Sequence, residues 1–139
     1  MVQPSSRIPN FLLVLLAVYC AASLMHFAHN AEFVSDYPNL PAWLTRSKVY
    51  LAWFAVTAIG AAGVVLMALR LRMLGLVLIA GYAALGFAGL DHYWVAPISA
   101  HSLAMNATIG FEVVAAAILL VVTLALLFRP VGQALGDKR

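Results

Sequence analysis

Three histidines and one glutamate draw attention in the sequence because they lie within long apolar stretches or at their ends. His26 and His29 lie near the end of the first apolar stretch, His92 near the end of the third, and Glu112 within the fourth. Imidazole nitrogens and carboxylate oxygens are ligands that zinc, iron, manganese and copper accept in proteins. These residue types therefore predict a divalent transition-metal site, in which Glu112 is either a ligand or a general base.

Several polar residues near these four are candidates for groups that orient the imidazoles by hydrogen bonds. The set consists of Asn30, Glu32, Asp91, His101 and Asn106. A simpler interpretation exists for two of its members. Glu32 has the position of a solvated acid paired with Arg46 or Lys48, and His101 that of an exposed loop or helix-start residue.

The spacing of these residues leaves other functions open. His26 and His29 are three residues apart and share a helix face, but this pattern alone is a weak signal for metal. One alternative is a proton-relay or transport protein in which Glu112, His26 and His29 titrate in turn. Another is a non-catalytic membrane subunit or assembly factor whose polar cluster only fixes helix packing. Haem is not expected, because it would need two histidines on facing helices with room for a porphyrin between them. His26 and His92 form the only credible pair of this kind.

The composition indicates the kind of scaffold that must position these side chains. Hydrophobic residues make up 65% of the chain and charged residues 9%, and the mean hydropathy is +0.99. A soluble domain of 139 residues needs a larger charged surface than this. Four stretches have the length of about 20 residues that a bilayer demands, at 10–33, 47–70, 72–95 and 102–128. We expect an all-α membrane protein with one domain, an up-down bundle of four transmembrane helices.

Glycines within the second and third stretches predict close approach of helix backbones in lipid. They are Gly60, Gly63, Gly75, Gly81, Gly86 and Gly89. The single cysteine, Cys20, lies in the apolar part of the first helix and is expected to be a small buried side chain.

Basic residues predict the orientation, because Lys and Arg near the helix ends resist translocation. One side carries Arg7, Arg70, Arg72, Arg129, Lys138 and Arg139, whereas the other has only Arg46 and Lys48. Both termini are therefore expected to be cytoplasmic, in the inner membrane of a bacterium. The net charge of +3 reflects this topology, and no nucleic-acid partner is expected.

The predicted topology brings the candidate ligands to one side of the membrane. The end of the first helix, the end of the third and the start of the fourth all face the external, periplasmic side, where His26, His29, His92 and Glu112 can converge. Glu112 lies about 15 Å inside the bundle, given 1.5 Å of rise per residue. The leading hypothesis is a small membrane metalloenzyme acting on a lipid-soluble or periplasmic small molecule. Besides membrane lipid, a homo-oligomer or a larger membrane complex is an open possibility for its partners.

Overall fold

A computed structural model describes residues 8–129 as a set of long helices joined by short links. The elements are α1 (Asn10–Glu32), α2 (Arg46–Ala68), α3 (Arg72–Leu85), α4 (His92–Val95) and α5 (Leu103–Leu127). The 3₁₀ helix Gly86–Asp91 joins α3 to α4, so that Arg72–Val95 forms one helical span. A second 3₁₀ helix, Ile98–Ala100, precedes α5. Arg7, Lys138 and Arg139, which contribute to the predicted orientation, lie outside the described residues.

Within residues 8–129, four helical spans are long and apolar enough to cross a membrane. They are Asn10–Glu32, Arg46–Ala68, Arg72–Val95 and Leu103–Leu127. The four predicted stretches are confirmed to within two residues at every end. Long uncharged runs made this prediction possible, because a span in hydrocarbon must satisfy its backbone polar groups within its own helix.

The helices pack as a ring in which each long helix has two main neighbours. α1 packs against α2 and α5, and α3 packs against the same two helices. Tyr19, Leu76, Ile79 and Leu119 are fully buried in the centre. Many large apolar side chains point outward instead, among them Val121 with 66% of its surface exposed, as suits a surface that faces hydrocarbon.

Glycines allow α2 and α3 to approach closely. A Cβ atom at Gly63 would lie 2.9 Å from the carbonyl oxygen of Gly75, and one at Gly75 would lie 2.6 Å from the carbonyl oxygen of Gly63. The predicted packing seam is thus confirmed for this pair. It is wrong for Gly81, because no described atom lies within 4 Å of a Cβ placed there.

The third span changes from α-helix to 3₁₀ helix over its last part, which the sequence did not predict. Gly86 starts this segment against the side chains of Tyr19 and Ala116, where no larger residue would fit. One turn later, a Cβ at Gly89 would lie 3.3 Å from the Glu112 Oε2 atom. The glycines therefore let the backbone of this span come close to α1 and α5 beside the deepest acid of the bundle.

The link between α1 and α2 is fastened to the end of the third span. Asn39 has a φ of 59°, a left-handed conformation that asparagine tolerates better than most residues. Its Nδ2 atom donates a hydrogen bond to the carbonyl oxygen of Val95 over 2.8 Å. This bond holds residues 33–45 over the end of the bundle where the candidate ligands lie.

Candidate functional site

His26 and Glu112 form the inner part of the candidate site. The Nε2 atom of His26 lies 3.7 Å from the Oε2 atom of Glu112, and the two residues are 3% and 1% exposed. α1 supplies the histidine and α5 the glutamate, and these two helices pack directly against each other. Ser23, one turn before His26, is fully buried and lies next to the Glu112 carboxyl group. An imidazole and a carboxyl group in this position can share a proton or bind a cation together.

His92 lies beside His26 and extends the site toward the outer end of the bundle. The ring centroids of the two histidines are 5.4 Å apart, with the planes nearly perpendicular. The Nε2 atom of His92 is 3.2 Å from the Nδ2 atom of Asn30, which lies one turn after His26 on α1. A contact with the Asn30 amide therefore fixes one nitrogen of His92 and leaves Nδ1 for another partner.

His101 is the next ring in the same direction. It follows the 3₁₀ turn before α5, yet it is only 6% exposed. Its ring centroid lies 6.0 Å from that of His92, and its Nδ1 atom lies 3.1 Å from the carbonyl oxygen of Pro97. His101 does lie at the start of α5, directly before its N-cap Ser102, but the prediction that it is exposed is wrong, because the turn folds its side chain inward.

Tyr37 covers this group of histidines from the link between α1 and α2. It is 3% exposed, and its ring lies 4.9 Å from that of His92 and 6.4 Å from that of His101, measured between centroids. Its hydroxyl oxygen is 2.9 Å from the Nδ1 atom of His29. Burial raises the pKa of Tyr37 to about 12, so its hydroxyl stays neutral at physiological pH.

His29 takes a different place from the one that its spacing predicts. Its ring contacts Phe33 and Tyr37, and it lines a surface cavity of about 450 Å³ together with Asp36 and Met105. Tyr37 contacts both His29, which lines this cavity, and His92. The structure thus brings together His26, His92 and Glu112 among the predicted ligands, and it places His29 at the outer wall.

Six buried atoms of this site have no hydrogen-bond partner among residues 8–129, and two of them are the Ser23 Oγ and Asn30 Oδ1 atoms. The other four belong to histidine or glutamate side chains: Nδ1 of His26, Nδ1 of His92, Nε2 of His101 and Oε2 of Glu112. We call these four the open atoms, and we call their residues the histidine–glutamate cluster. A polar atom buried without a partner costs about 1–3 kcal/mol, and in a native structure it calls for an explanation such as a water or an ion.

The predicted ligands do not form a complete metal site in the described conformation. Within residues 8–129, no group of three or more His, Cys, Asp or Glu side chains is arranged so that it could hold a metal ion. The Nε2 atom of His26 and the Oε2 atom of Glu112, 3.7 Å apart, are close enough to bind one ion together. A third ligand would require a side-chain rearrangement, such as rotation of the His92 ring that packs beside His26.

The candidate orienting residues separate into two groups. Asn30 contacts His92, and Asn106 holds the backbone beneath His101. Glu32 and Asp91 are exposed. Glu32 binds the Arg46 guanidinium over 2.7 Å and accepts a hydrogen bond from Tyr50, which confirms the interpretation as a solvated acid paired with Arg46.

Sequence reasoning missed two contributors to the site. Tyr37 is not among the predicted site residues, whereas it lies against three histidines. Gly89 had been assigned only to helix packing, whereas its backbone forms the wall opposite the Glu112 carboxyl group and the His26 Nε2 atom. The presence of a tyrosine in an otherwise polar link is a signal from which burial of Tyr37 could have been suspected. The position of Gly89 depends on the 3₁₀ helix, and no residue pattern in the sequence predicts that helix.

Comparison with known proteins adds no assignment, since no protein-family model, no curated protein and no solved structure matches this chain.

Proposed function

We propose that this chain is a multi-pass protein of a bacterial inner membrane whose function resides in a divalent transition-metal site at the histidine–glutamate cluster. The observation that carries this proposal is the set of four open atoms, which lie on neighbouring side chains within an apolar helix bundle. Polar groups in such a place mark functional sites in membrane proteins, because leaving them without a partner is costly. A cation bound between the Nε2 atom of His26 and the Glu112 carboxylate would neutralise this carboxylate and give its Oε2 atom a partner.

The donor set supports a transition metal more than calcium or magnesium. Two or more imidazoles with one carboxylate suit zinc, iron, manganese or copper, whereas calcium and magnesium prefer oxygen ligands alone. Two donors that each bind an ion at about 2.1 Å stand roughly 3.5 Å apart, and the His26 and Glu112 atoms are already separated by 3.7 Å. His92 would complete the site by turning its ring, because its Nδ1 atom is an open atom.

A metal bound there would act as a Lewis acid toward water, oxygen or a substrate carbonyl. The chain itself contributes a water-poor surrounding, a carboxyl group at the inner end and Tyr37 at the outer end. We propose a lipid-soluble or periplasmic small molecule as the substrate, because the site lies near one end of the bundle, close to an external cavity.

A second candidate function is a metal-free acid–base pair. It is favoured by the His26–Glu112 contact itself, in which a proton held on the carboxyl group or on the imidazole suffices to stabilise the pair. In this case the protein uses the pair for proton exchange with the external side, or the pair only fixes the packing of α1 on α5. The absence of a three-ligand group within residues 8–129 is compatible with this alternative.

The metal content of the purified protein separates the two candidates. Protein prepared without chelator and reconstituted in turn with zinc, iron, manganese and copper is expected to hold about one ion per chain for one of these metals. His26→Ala should lose most of it, since water replaces an imidazole ligand poorly. Thr123→Val is a matched control, because Thr123 is a fully buried polar residue that bonds only within its own helix, to the carbonyl oxygen of Leu119.

The control variant should keep the metal of the wild type. Elemental analysis that finds no metal above background in the wild type, after all four reconstitutions, would refute the metal site and leave the acid–base pair. Equal metal content in the wild type and His26→Ala would show that the ion is bound elsewhere.

A further inference from the structure

The 3₁₀ helix in the third span aligns three of its residues toward the site. A 3₁₀ helix has three residues per turn, so residues three apart lie on one line along its surface. Gly86, Gly89 and His92 have this spacing, and all three are buried. The line faces α1 and α5, because its two glycines lie against Tyr19 and the Glu112 carboxyl group, respectively.

A regular α-helix would not give this alignment. Over the six residues Gly86–Asp91, a 3₁₀ helix is about 3 Å longer than an α-helix and turns about 120° further. In an α-helical form of the segment, His92 would therefore move toward α3 and face another side of the span. It would lose its contact with Asn30 and its place beside His26. The 3₁₀ form is thus what brings His92 to the histidine–glutamate cluster.

Tyr19 forms a hydrogen bond at the point where the α-helix changes to the 3₁₀ helix. In an α-helix, the Tyr82 carbonyl oxygen would accept from the N–H group of Gly86, four residues later. Here the Gly86 N–H group bonds to the carbonyl oxygens of Ala83 and Ala84 instead. The Tyr82 carbonyl oxygen accepts a hydrogen bond from the Tyr19 hydroxyl over 3.1 Å, in a buried position.

Gly86 leaves the space through which Tyr19 reaches this carbonyl oxygen. A Cβ atom at Gly86 would lie 2.6 Å from the Tyr19 hydroxyl oxygen, so this hydroxyl fills the space of a side chain. If the hydroxyl were removed, the buried carbonyl group of Tyr82 would lose this donor, which hydrocarbon cannot replace. The donor that a regular helix supplies is the Gly86 N–H group. Loss of the Tyr19 hydroxyl should therefore favour the α-helical form of the segment.

We propose that Tyr19 is a positioning residue, which holds Gly86–Asp91 in its 3₁₀ form and thereby places His92 beside His26. It acts through the backbone of the third span and does not itself touch His92. The inference rests on the proposed function in one respect, that the histidine–glutamate cluster is the functional site. The placement of His92 itself can be measured without any metal.

The test compares two variants that each remove one hydroxyl from the same pair of packed tyrosine rings. Tyr19→Phe keeps the ring but removes the donor to the Tyr82 carbonyl oxygen. Tyr82→Phe is the matched control, because the Tyr82 hydroxyl is buried without a hydrogen-bond partner among residues 8–129 and the carbonyl group of this residue is kept.

The position of His92 is read from the nuclear Overhauser effect between the His26 and His92 rings, in metal-free full-length protein with labelled histidines in detergent. The wild type and Tyr82→Phe should show this effect, since the ring centroids are 5.4 Å apart. Tyr19→Phe should lose it. In metal titrations, Tyr19→Phe should also bind the metal of the wild type about tenfold or more weakly, as expected when a group that orients a ligand is removed.

A merely structural role of Tyr19 would lower the free energy of unfolding without moving His92. The same ring-to-ring effect in Tyr19→Phe as in the wild type would therefore overturn the inference, and so would its equal loss in both variants. A wild type that binds no zinc, iron, manganese or copper would refute the metal site. In that case, loss of the effect in Tyr19→Phe alone would still support the positioning of His92 by Tyr19.

Discussion

The Nε2 atom of His26 and the Oε2 atom of Glu112 lie 3.7 Å apart between α1 and α5, where both side chains are almost completely buried. Glu112 is the one buried acid within residues 8–129, since Glu32, Asp36 and Asp91 are exposed. An ionised carboxylate at this depth needs a cation, and otherwise it takes up a proton. The state of Glu112 therefore distinguishes a metal site from a neutral polar cluster.

The change Glu112→Gln keeps the shape of the side chain and removes its ability to become an anion. If Glu112 is a ligand, the variant should fold and insert like the wild type but bind the metal at least about tenfold more weakly, as measured by elemental analysis and by titration. The matched control is Glu32→Gln. Glu32 forms an exposed ion pair with Arg46, and such pairs contribute about 0–1 kcal/mol, so this variant should keep both its stability and its metal.

An unchanged metal affinity in Glu112→Gln would remove Glu112 from the site. If the wild type binds no metal and the Gln variant is as stable as the wild type, Glu112 is a protonated packing group.

Tyr37 is expected to control access to His92 and His101. Its ring lies against both histidines, and its hydroxyl contacts His29, which lines the surface cavity. In the wild type, diethyl pyrocarbonate should therefore modify His29 faster than His92 or His101, as followed by mass spectrometry of peptides. Tyr37→Ala should expose His92 and His101 and raise their modification rates severalfold.

The matched variant Tyr37→Phe keeps the ring and should leave His92 and His101 protected. Equal protection in Tyr37→Ala and Tyr37→Phe would mean that other residues close the site. Rapid modification of His101 in the wild type would contradict the buried position of its ring.

Because the Tyr37 hydroxyl is buried, we expect the bundle end that it covers to lose stability at alkaline pH. Burial raises the pKa of its hydroxyl from 10 to about 12, and the groups facing this hydroxyl are His29, Tyr93 and Thr108. The folded protein holds this proton more tightly than the unfolded chain, so the protonated hydroxyl contributes to the free energy of unfolding. This contribution is fully present below pH 10 and is lost as the pH rises toward 12.

The difference between the alkaline absorbance titrations of the wild type and Tyr37→Phe should contain one tyrosine with a pKa near 12. The midpoint of thermal unfolding should fall more for the wild type than for Tyr37→Phe between pH 10 and 12. A difference titration centred at pH 10 would mean that Tyr37 is open to water.

The sequence predicts the spans well because each span is a local property of its own residues. An uncharged run of sufficient length specifies a transmembrane helix without reference to the rest of the chain. The inner part of the site was predictable for a related reason. His26, His92 and Glu112 lie on three different spans, and an up-down topology alone brings these three helix ends to the same side.

The outer part of the site depends on contacts that no spacing encodes. His29 shares a helix face with His26, but its ring is held outward by Tyr37, a residue of the following link. His101 turns inward because Pro97 and Asn106 shape the turn before α5. Both outcomes come from links between spans, where hydropathy and helical period give no information.

Gly86 offers a test of the close packing that supports the site. A Cβ there would lie 2.6 Å from the Tyr19 hydroxyl oxygen and from the Ala116 Cβ, so Gly86→Ala forces the bundle to shift. Overpacking of this kind costs about 1–3 kcal/mol. Gly81→Ala is the control on the same span, and it should be neutral or stabilise by up to about 1 kcal/mol, since its Cβ would meet open space and alanine favours helix.

The two variants can be compared by equilibrium unfolding in mixed detergent micelles. Similar effects of Gly86→Ala and Gly81→Ala on the free energy of unfolding would mean that α1 and α5 do not pack tightly on the third span at Gly86.

The predicted orientation is tested by labelling a single cysteine in the link between α1 and α2. Six of the eight Lys and Arg residues are assigned to the side of the termini, which predicts that the link with Ser35 and the site is external. In a Cys20→Ala background, Ser35→Cys is the preferred position, because Ser35 is exposed. Asn39 is less suitable, since its left-handed backbone and its bond to Val95 would be disturbed.

A membrane-impermeant maleimide should label the cysteine at position 35 in intact bacterial cells whose outer membrane has been opened, and a fluorescent reporter fused after Arg139 should fold in the cytoplasm. Disrupting the inner membrane should not increase the labelling, because the predicted position already faces the periplasm. If labelling required this disruption, the histidine–glutamate cluster would open to the cytoplasm. Its metal would then have to come from the cytoplasmic pool, and a periplasmic substrate would be excluded.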